Sequence, residues 1–269
     1  MSTNKLEDLK NYLESLGNIA VAFSAGVDST FLLKVAHDVL QDKAIAVTAR
    51  SASFPRHEYE DADAFCKKEG IKQFIFDSNE LELKDYVENP KNRCYYCKQT
   101  LFKGLIDIAN DNGIENVAEG SNMDDLGDYR PGLEAVKELG ILSPLREVGL
   151  TKAEIRAYSK ELGLPTWDKP SFACLASRVP YGERITKEKL EMVEKAEALL
   201  LKLGFMQYRV RVHGNIARIE VPEDDIPRLF EKAVKKEIVN KFKEFGFAYV
   251  TVDIQGYRTG SMNEVLRTT

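Results

Sequence analysis

Short apolar runs alternate with amphipathic segments along the first two thirds of the chain. Leucines recur at steps of three and four residues over 5–16, before Gly17, and a compact apolar run follows at 19–23. The alternation then repeats and predicts further strands at 44–49, 72–76 and 116–119, and helices at 30–40, 56–69, 98–110 and 151–162. Helices that recur between short buried strands are typical of parallel sheets. We therefore expect an α/β fold, a parallel sheet with helices on both faces.

The pattern changes near residue 182. Proline and glycine punctuate residues 164–182, which predicts a long functional loop. Beyond it the chain predicts a helix at 186–203, strands at 207–212 and 216–221, a helical region to Phe245 and a strand at 248–254. This order is typical of a small α+β domain, and we expect its sheet to be antiparallel. The 269 residues therefore divide into two predicted domains, 1–182 and 183–269.

One helix start is marked by a specific local signal. Thr151 stands where the helix at 151–162 begins, and Glu154 follows three residues later. This is the spacing of a capping box, in which the two side chains each bond to the other residue's backbone N–H. Gly163 and Pro165 end the same helix.

Composition and charge narrow the class of protein. Hydrophobic residues make up 43% and charged residues 30%, as in ordinary globular proteins. The formal net charge of -5 disfavours nucleic acid as a partner, because a basic face normally supplies most of that affinity, and it favours a small-molecule substrate. The first residues lack a secretory apolar segment, and no apolar run approaches the roughly 20 residues of a membrane span. We expect a cytoplasmic protein without a membrane segment.

Two of the four cysteines, Cys94 and Cys97, stand three positions apart in a CxxC. In a reducing compartment such thiols are more readily metal ligands or nucleophiles than disulfides. Taken alone, the pair is compatible with a redox dithiol, half of a zinc site, part of an iron–sulfur site or chance packing. Cys66 lies within the predicted helix 56–69, and we interpret it as a core residue.

A loop of small residues joins the first predicted strand to the next helix, with the sequence SAGVDST at 24–30. Small residues let backbone N–H groups approach an anion, and the helix N-terminus adds positive charge. The loop matches neither Walker A nor GxGxxG. This segment at 24–30, the phosphate loop, resembles the SGGxDS loop of the ATP pyrophosphatase (PP-loop) superfamily, whose members adenylate a substrate oxygen and release pyrophosphate. The resemblance assigns ATP binding to Ser24, Gly26, Asp28, Ser29 and Thr30.

Ala25 replaces the second glycine of that motif. Alanine has far less backbone freedom than glycine, so we expect ordinary backbone dihedrals at this position.

Longer motifs carry a more specific resemblance. They occupy residues 119–125, 128–132 and 163–182, with 210–213 and 216–220 in the second predicted domain. Together with the phosphate loop they resemble, over nearly the whole chain, the LarE family of ATP-dependent sulfur transferases in nickel-pincer nucleotide biosynthesis. The resemblance implies that ATP and Mg²⁺ adenylate a carboxylate of a small nucleotide, pyridinium-3,5-biscarboxylic acid mononucleotide, and that sulfur replaces the activated oxygen. It also implies a homo-oligomer.

The cysteines depart from the single-cysteine pattern of that family. In some members one cysteine, at the position of Cys174, is a sacrificial sulfur donor, whereas this chain also carries Cys94 and Cys97. Three thiolates are the number that holds a 4Fe–4S cluster with one iron left for sulfide from an external source. We therefore expect Cys94, Cys97 and Cys174 to be catalytic residues and ligands of a 4Fe–4S cluster. A sacrificial Cys174 without a cluster, and a zinc or dithiol site, stay open as alternatives.

The resemblance also assigns a substrate site. It matches Ser177 and Arg178 to contacts with the substrate's phosphate, a task that suits a guanidinium fork. Arg209 and Arg211 alternate along a predicted strand and so share one face, which favours a second pair of anion contacts. Glu197 matches a functional acid of the family.

Three aspartates lie close together in the sequence after the predicted strand at 116–119. Asp124, Asp125 and Asp128 follow a predicted strand, where they either contact magnesium or ribose or simply form a turn.

Two rival functions stay open. One rival function is a PP-loop iron–sulfur enzyme of tRNA thiolation. The other is a non-enzymatic iron–sulfur or zinc protein.

Overall fold

The structure is a computed structural model that describes residues 4–125, 131–170, 173–258 and 260–264. Its α-helices are α1 (Lys5–Leu16), α2 (Val27–Leu40), α3 (Arg56–Glu69), α4 (Lys84–Val87), α5 (Arg93–Asp111), α6 (Gly132–Glu138), α7 (Pro144–Glu147), α8 (Lys152–Glu161), α9 (Lys187–Lys202), α10 (Ile226–Leu229) and α11 (Lys232–Glu244). Its strands are β1 (Ile19–Ala22), β2 (Ala44–Arg50), β3 (Gln73–Asp77), β4 (Val117–Ala118), β5 (Arg209–His213), β6 (Ile216–Glu220) and β7 (Tyr249–Val252). No helix within these ranges is both long and apolar enough to cross a membrane.

The first four strands form one parallel sheet in the order β3-β2-β1-β4. Val21 of β1 pairs with Ala46 on one side and Ala118 on the other. Ile19 and Val21 face a hydrophobic core shared with α1, α2, α3 and α8, while Ala20 faces a second core shared with α5 and α6. Helices therefore cover both faces of the sheet, which confirms the predicted α/β class.

The second sheet has the order β5-β6-β7 and is mixed. β5 and β6 are antiparallel, as predicted, but β6 and β7 are parallel, so the expectation of a purely antiparallel sheet is wrong. The segment between β6 and β7 contains α10 and α11, which return the chain to the starting end of β6. β7 therefore runs in the same direction as β6.

One helix begins earlier than the sequence indicates. α5 starts at Arg93 rather than Lys98, so both cysteines of the CxxC lie in its first turns. Tyr95 Oη donates to Glu138 at 2.6 Å, and Gln99 Nε2 donates to the same carboxylate at 2.7 Å. These contacts with α6 stabilise a helix start that has no side-chain cap of its own.

Contacts divide the chain into two compact units, residues 1–80 with 92–172, and residues 81–91 with 173–269. The buried side chain of Asn89 shows why the short segment belongs to the second unit. Its amide donates to the carbonyls of Val179, Pro180 and Glu183 at 3.3, 2.6 and 3.0 Å. The domain boundary after residue 182 stays a prediction.

Candidate functional site

A cavity of about 500 Å³ lies in the first unit, where β1 and β4 end. Open α/β sheets bind ligands at the carboxyl ends of their strands. The phosphate loop, α5, the segment after β4 and the first residue of α8 line this cavity. Its lining includes Ser24, Gly26, Asp28, Ser29, Lys98, Leu101, Glu119, Gly120, Asn122, Asp124, Asp125 and Lys152.

The phosphate loop contributes four of its five predicted residues to the lining, all except Thr30. Ser24 Oγ and Ser29 Oγ are 3.1 Å apart, and the backbone N–H of Ser24 donates to Ser29 Oγ at 3.4 Å. Gly120 packs so closely that an added Cβ would lie 3.1 Å from the Ser29 nitrogen. Thr30 is fully buried, and its hydroxyl has no hydrogen-bond partner in the described part of the chain.

The backbone at Ala25 corrects a prediction. Its φ is +51°, in the left-handed region, so the expectation of ordinary dihedrals is wrong. The methyl group is 2% exposed and lies in the core shared with α2. A buried alanine therefore occupies this left-handed turn, at the position where the related motif has glycine.

Asp28 lies beside a lysine and an asparagine in the cavity. Lys152 Nζ donates to its Oδ2 at 2.5 Å and Asn122 Nδ2 to its Oδ1 at 3.3 Å. Burial raises the pKa of Asp28, and the charge of Lys152 opposes that rise. The cavity therefore holds a carboxylate removed from bulk water beside a cation.

Further charges surround this pair. The backbone N–H of Lys152 donates to Asp124 at 2.6 Å, and Lys98 Nζ lies 3.6 Å from Glu119 Oε2. Carboxylate oxygens suit Mg²⁺, and ammonium groups suit phosphate oxygens. The predicted acids Asp124 and Asp125 line this cavity, while Asp128 lies outside the described residues.

Sequence reasoning missed the two lysines of the cavity. The available signals were weak, since Lys98 merely follows the CxxC and Lys152 merely opens a capped helix. Lys152 and Asp28 are 124 positions apart, and only the fold brings them together.

The CxxC continues the stripe of α5 that reaches this cavity. Cys94 is exposed and Cys97 is half-buried. Lys98 follows Cys94 by four positions and Leu101 follows Cys97 by four, so the four side chains lie along one side of the helix. Lys98 and Leu101 line the cavity, and the two cysteines lie on the same side of α5, one turn closer to its start.

Cys174 belongs to the second unit, and a buried arginine organises its backbone. Arg178 is fully buried, and its Nε and Nη2 each donate to Glu197 at 2.8 Å. Its Nη1 donates at 3.0 Å to the carbonyl of Cys174 and to Ser177 Oγ. The guanidinium therefore shapes the loop that presents the exposed thiol of Cys174.

The other two arginines join this cluster from β5. Arg211 pairs with Glu220 at 2.9 and 3.0 Å and donates to the Ser177 carbonyl at 2.8 Å. Arg209 lies over the ring of Tyr257, 5.2 Å from its centroid, and burial lowers the pKa of its guanidinium. The second unit thus brings together the five residues predicted to bind substrate. Within the described residues, no group of three His, Cys, Asp or Glu side chains is placed to hold a metal ion.

Comparison with known proteins decides the family. No protein-family model matches the chain. It is 39% identical over 256 residues to pyridinium-3,5-bisthiocarboxylic acid mononucleotide synthase of Lactiplantibacillus plantarum, an alignment that covers 94% of this chain and 92% of that enzyme. The chain belongs to this synthase family. The membership confirms the predicted enzyme class, a LarE-like ATP-dependent sulfur transferase.

Two further relatives are similar to the chain at different levels of identity. A protein of uncharacterised function from Synechocystis is 47% identical to the chain over 266 residues, 99% of each sequence. Argininosuccinate synthase of Haloarcula marismortui is 28% identical over 165 residues, which cover 56% of this chain and 39% of that enzyme. The second match is to a PP-loop enzyme and agrees with the parallel sheet and the phosphate loop of the first unit.

Proposed function

We propose that this synthase family member uses ATP to activate a carboxylate of pyridinium-3,5-biscarboxylic acid mononucleotide and then replaces the activated oxygen with sulfur. The observation that carries the proposal is the cavity at the phosphate loop, where the Asp28–Lys152 pair offers both a magnesium ligand and a phosphate-binding cation. The printed name of the Lactiplantibacillus relative supports the substrate class.

In the first step, a carboxylate oxygen of the substrate attacks the α-phosphorus of ATP and pyrophosphate leaves. Neutralising the leaving pyrophosphate is the main electrostatic task. The hydroxyls of Ser24 and Ser29 and the positive end of α2 would bind phosphate oxygens, and Lys98 and Lys152 would add positive charge. Asp28 would take one position around magnesium. The product is an acyl-adenylate, which loses AMP when sulfur attacks its carbonyl carbon.

We further propose that Cys94, Cys97 and Cys174 hold a 4Fe–4S cluster. The chemistry of the donors supports the proposal, because thiolates are the ligands of such clusters and these three thiols are exposed or half-buried, whereas Cys66 is buried and its pKa is raised to about 12. Held by these three thiolates, the cluster would have one iron without a protein ligand and would supply a place for external sulfide. The competing proposal is a sacrificial Cys174 that gives up its own sulfur.

Substrate binding is proposed for the second unit, through Ser177, Arg178, Glu197, Arg209 and Arg211. The bonds of Arg178 to Glu197 and to the Cys174 loop favour a positioning role for that pair. Ser177, half-buried beside Arg178 and Arg211, then offers the substrate phosphate a hydroxyl next to two guanidinium groups.

The cluster is tested by iron and acid-labile sulfide content after anaerobic purification. We expect about four of each per chain in the wild type, the number a 4Fe–4S cluster requires, and loss of the cluster in Cys94→Ala, Cys97→Ala and Cys174→Ala. Cys66→Ala is the matched control and should keep its iron. A wild type without a cluster, or a cluster that survives the loss of one of the three ligands, contradicts the proposal.

The reaction is tested by release of AMP and pyrophosphate that depends on the dicarboxylate substrate. Supplied with sulfide, the wild type should form several thiocarboxylates per chain. A limit of one sulfur per chain, with loss of H₂S from Cys174 in the mass spectrum, would instead establish the sacrificial route. Metal binding without substrate-dependent AMP would establish the non-enzymatic alternative.

A further inference from the structure

The phosphate loop makes a left-handed turn at a residue that disfavours it. Ala25 has a φ of +51°, and its neighbour Gly26 returns to φ -79°. Non-glycine residues adopt positive φ only where the surrounding structure holds them there. The turn lies between Ser24 and the first residues of α2, whose backbone N–H groups point toward the cavity end of the helix. Whatever holds Ala25 therefore sets the direction of the groups available to phosphate.

A lysine 144 positions later holds the Ala25 carbonyl. Lys169 Nζ donates to it at 3.2 Å, to Glu58 at 2.6 Å and to Asp61 at 2.9 Å. An ammonium has three N–H donors, so these three acceptors match its capacity. Glu58 is 3% exposed, and a buried carboxylate of this kind fixes its cation in place.

The backbone of Lys169 is anchored as well. Arg156 of α8 donates to the carbonyls of Trp167 and Lys169, at 2.7 Å each, and the Lys169 N–H donates to Thr166 at 3.0 Å. With its side chain only 15% exposed, Lys169 is a fixed point of the first unit rather than a mobile surface lysine. It does not line the cavity, so it reaches the nucleotide site only through the loop backbone.

We propose that Lys169 is a positioning residue of the phosphate loop, which holds the Ala25 carbonyl and thereby the left-handed turn that aims the loop at phosphate. The inference rests on the proposed use of ATP at this loop. Without the ammonium, Ala25 relaxes toward negative φ and the loop loses the geometry that binds the nucleotide. With glycine at position 25 the turn has no such preference to overcome, so the lysine becomes dispensable for loop geometry.

The test is a double-mutant cycle read out as the affinity for ATP with magnesium, measured by calorimetry without the dicarboxylate. Lys169→Met should weaken binding about tenfold, the scale set by the preference of alanine for negative φ. In the Ala25→Gly background the same substitution should change the affinity by less than about twofold, because glycine adopts positive φ without strain. Equal losses in both backgrounds, or no loss in either, overturn the proposal.

Two controls separate the loop from its surroundings. Lys169→Met leaves the buried Glu58 without its lysine partner, so the substitution is repeated together with Glu58→Gln, which removes the buried charge. Weak binding should persist in that double variant, and recovery would show that the uncompensated carboxylate caused the loss. Lys103→Met, an exposed lysine of α5, should bind like the wild type. If the wild type fails to bind ATP, the proposed function itself is refuted. If the wild type binds ATP and every variant binds it equally well, only the role of Lys169 is refuted.

Discussion

Burial alone separates Cys66 from the other three cysteines. Cys66 lies on α3, is 2% exposed and faces the hydrophobic core, and desolvation raises the pKa of its thiol to about 12. Thiolates react and thiols do not, so Cys66 should be inert at neutral pH. In cluster-free protein we expect a thiol reagent such as DTNB to titrate three cysteines before unfolding and the fourth only afterwards. Cys66→Ala should remove only the slow reaction, and Cys94→Ser only a fast one. Four fast thiols would show that the core around Cys66 opens readily.

Asp28 should give nucleotide binding an unusual pH dependence. Burial raises its pKa, and Lys152 opposes the rise only in part. The proposed magnesium ligand is the ionised carboxylate, so protonation on acidification should weaken ATP binding, and this should occur at a pH above the pKa of an ordinary aspartate. Asp28→Asn should bind weakly throughout and lack this transition. Calorimetric titrations across acidic pH measure it, with Asp111→Asn, an exposed acid at the end of α5, as the control. A profile that Asp28→Asn leaves unchanged would assign the transition to another group.

At the scale of elements, one ion pair joins the turn at Leu175–Arg178 to α9. Arg178 and Glu197 are both buried, with two hydrogen bonds of 2.8 Å between them. Removing one partner of a buried pair leaves the other charge uncompensated, at roughly 3–5 kcal/mol. We therefore expect Glu197→Gln to lower the free energy of unfolding by about that amount in urea titrations. Glu191→Gln, on the exposed side of α9, should stay within about 0.5 kcal/mol of wild type. If Glu197→Gln lowers the free energy of unfolding no more than Glu191→Gln does, water must reach the guanidinium of Arg178.

The start of α8 gives a second prediction at this scale. Thr151 accepts a bond from the Glu154 N–H, and Glu154 bonds back to the N–H of Thr151, so the predicted capping box is confirmed. Lys5 and the cap lower the pKa of Glu154 from 4.5 to about 2. A carboxyl whose folded pKa is depressed stabilises the protein above its unfolded pKa and loses that effect as pH falls through the folded value. Glu154→Gln should therefore be less stable than wild type at pH 7, and the difference should vanish between about pH 4.5 and pH 2. Thermal unfolding across this range checks it, and a difference that persists at pH 2 would point to lost packing instead.

Features set by residues close together in the sequence can be predicted from it, whereas contacts between distant residues cannot. The capping box, the parallel strands and the phosphate loop are local patterns of period or spacing, and each was found in the predicted place. The bond from Lys169 to Ala25 and the pair of Lys152 with Asp28 join residues more than 100 positions apart, and no local pattern records them. The parallel pairing of β7 was missed for the same reason, because strand direction follows from the path of the connecting helices. The earlier start of α5 depends on contacts with α6, which propensity does not register.

At the scale of the whole molecule, charge argues against the tRNA thiolation alternative. The chain has 38 basic and 43 acidic residues, a net charge of -5. Proteins that bind RNA obtain most of their affinity from cations that displace the counterions of phosphates, and that affinity falls steeply with salt. Arg178 and Arg211 of the second unit are buried and paired with Glu197 and Glu220, so their charges do not form a basic surface. We therefore expect no substantial tRNA affinity at physiological salt.

Filter binding with radiolabelled tRNA at about 0.15 M salt measures this prediction. The same protein preparation is assayed for AMP release with tRNA and, separately, with the dicarboxylate nucleotide, so that an inactive sample cannot pass for a negative result. Only the dicarboxylate should stimulate AMP release. Binding that weakens steeply with salt, together with AMP release that depends on tRNA, would favour the thiolation enzyme. Weak binding without that stimulation would reflect only local basic charge, because a substrate must promote the adenylation proposed for the phosphate loop.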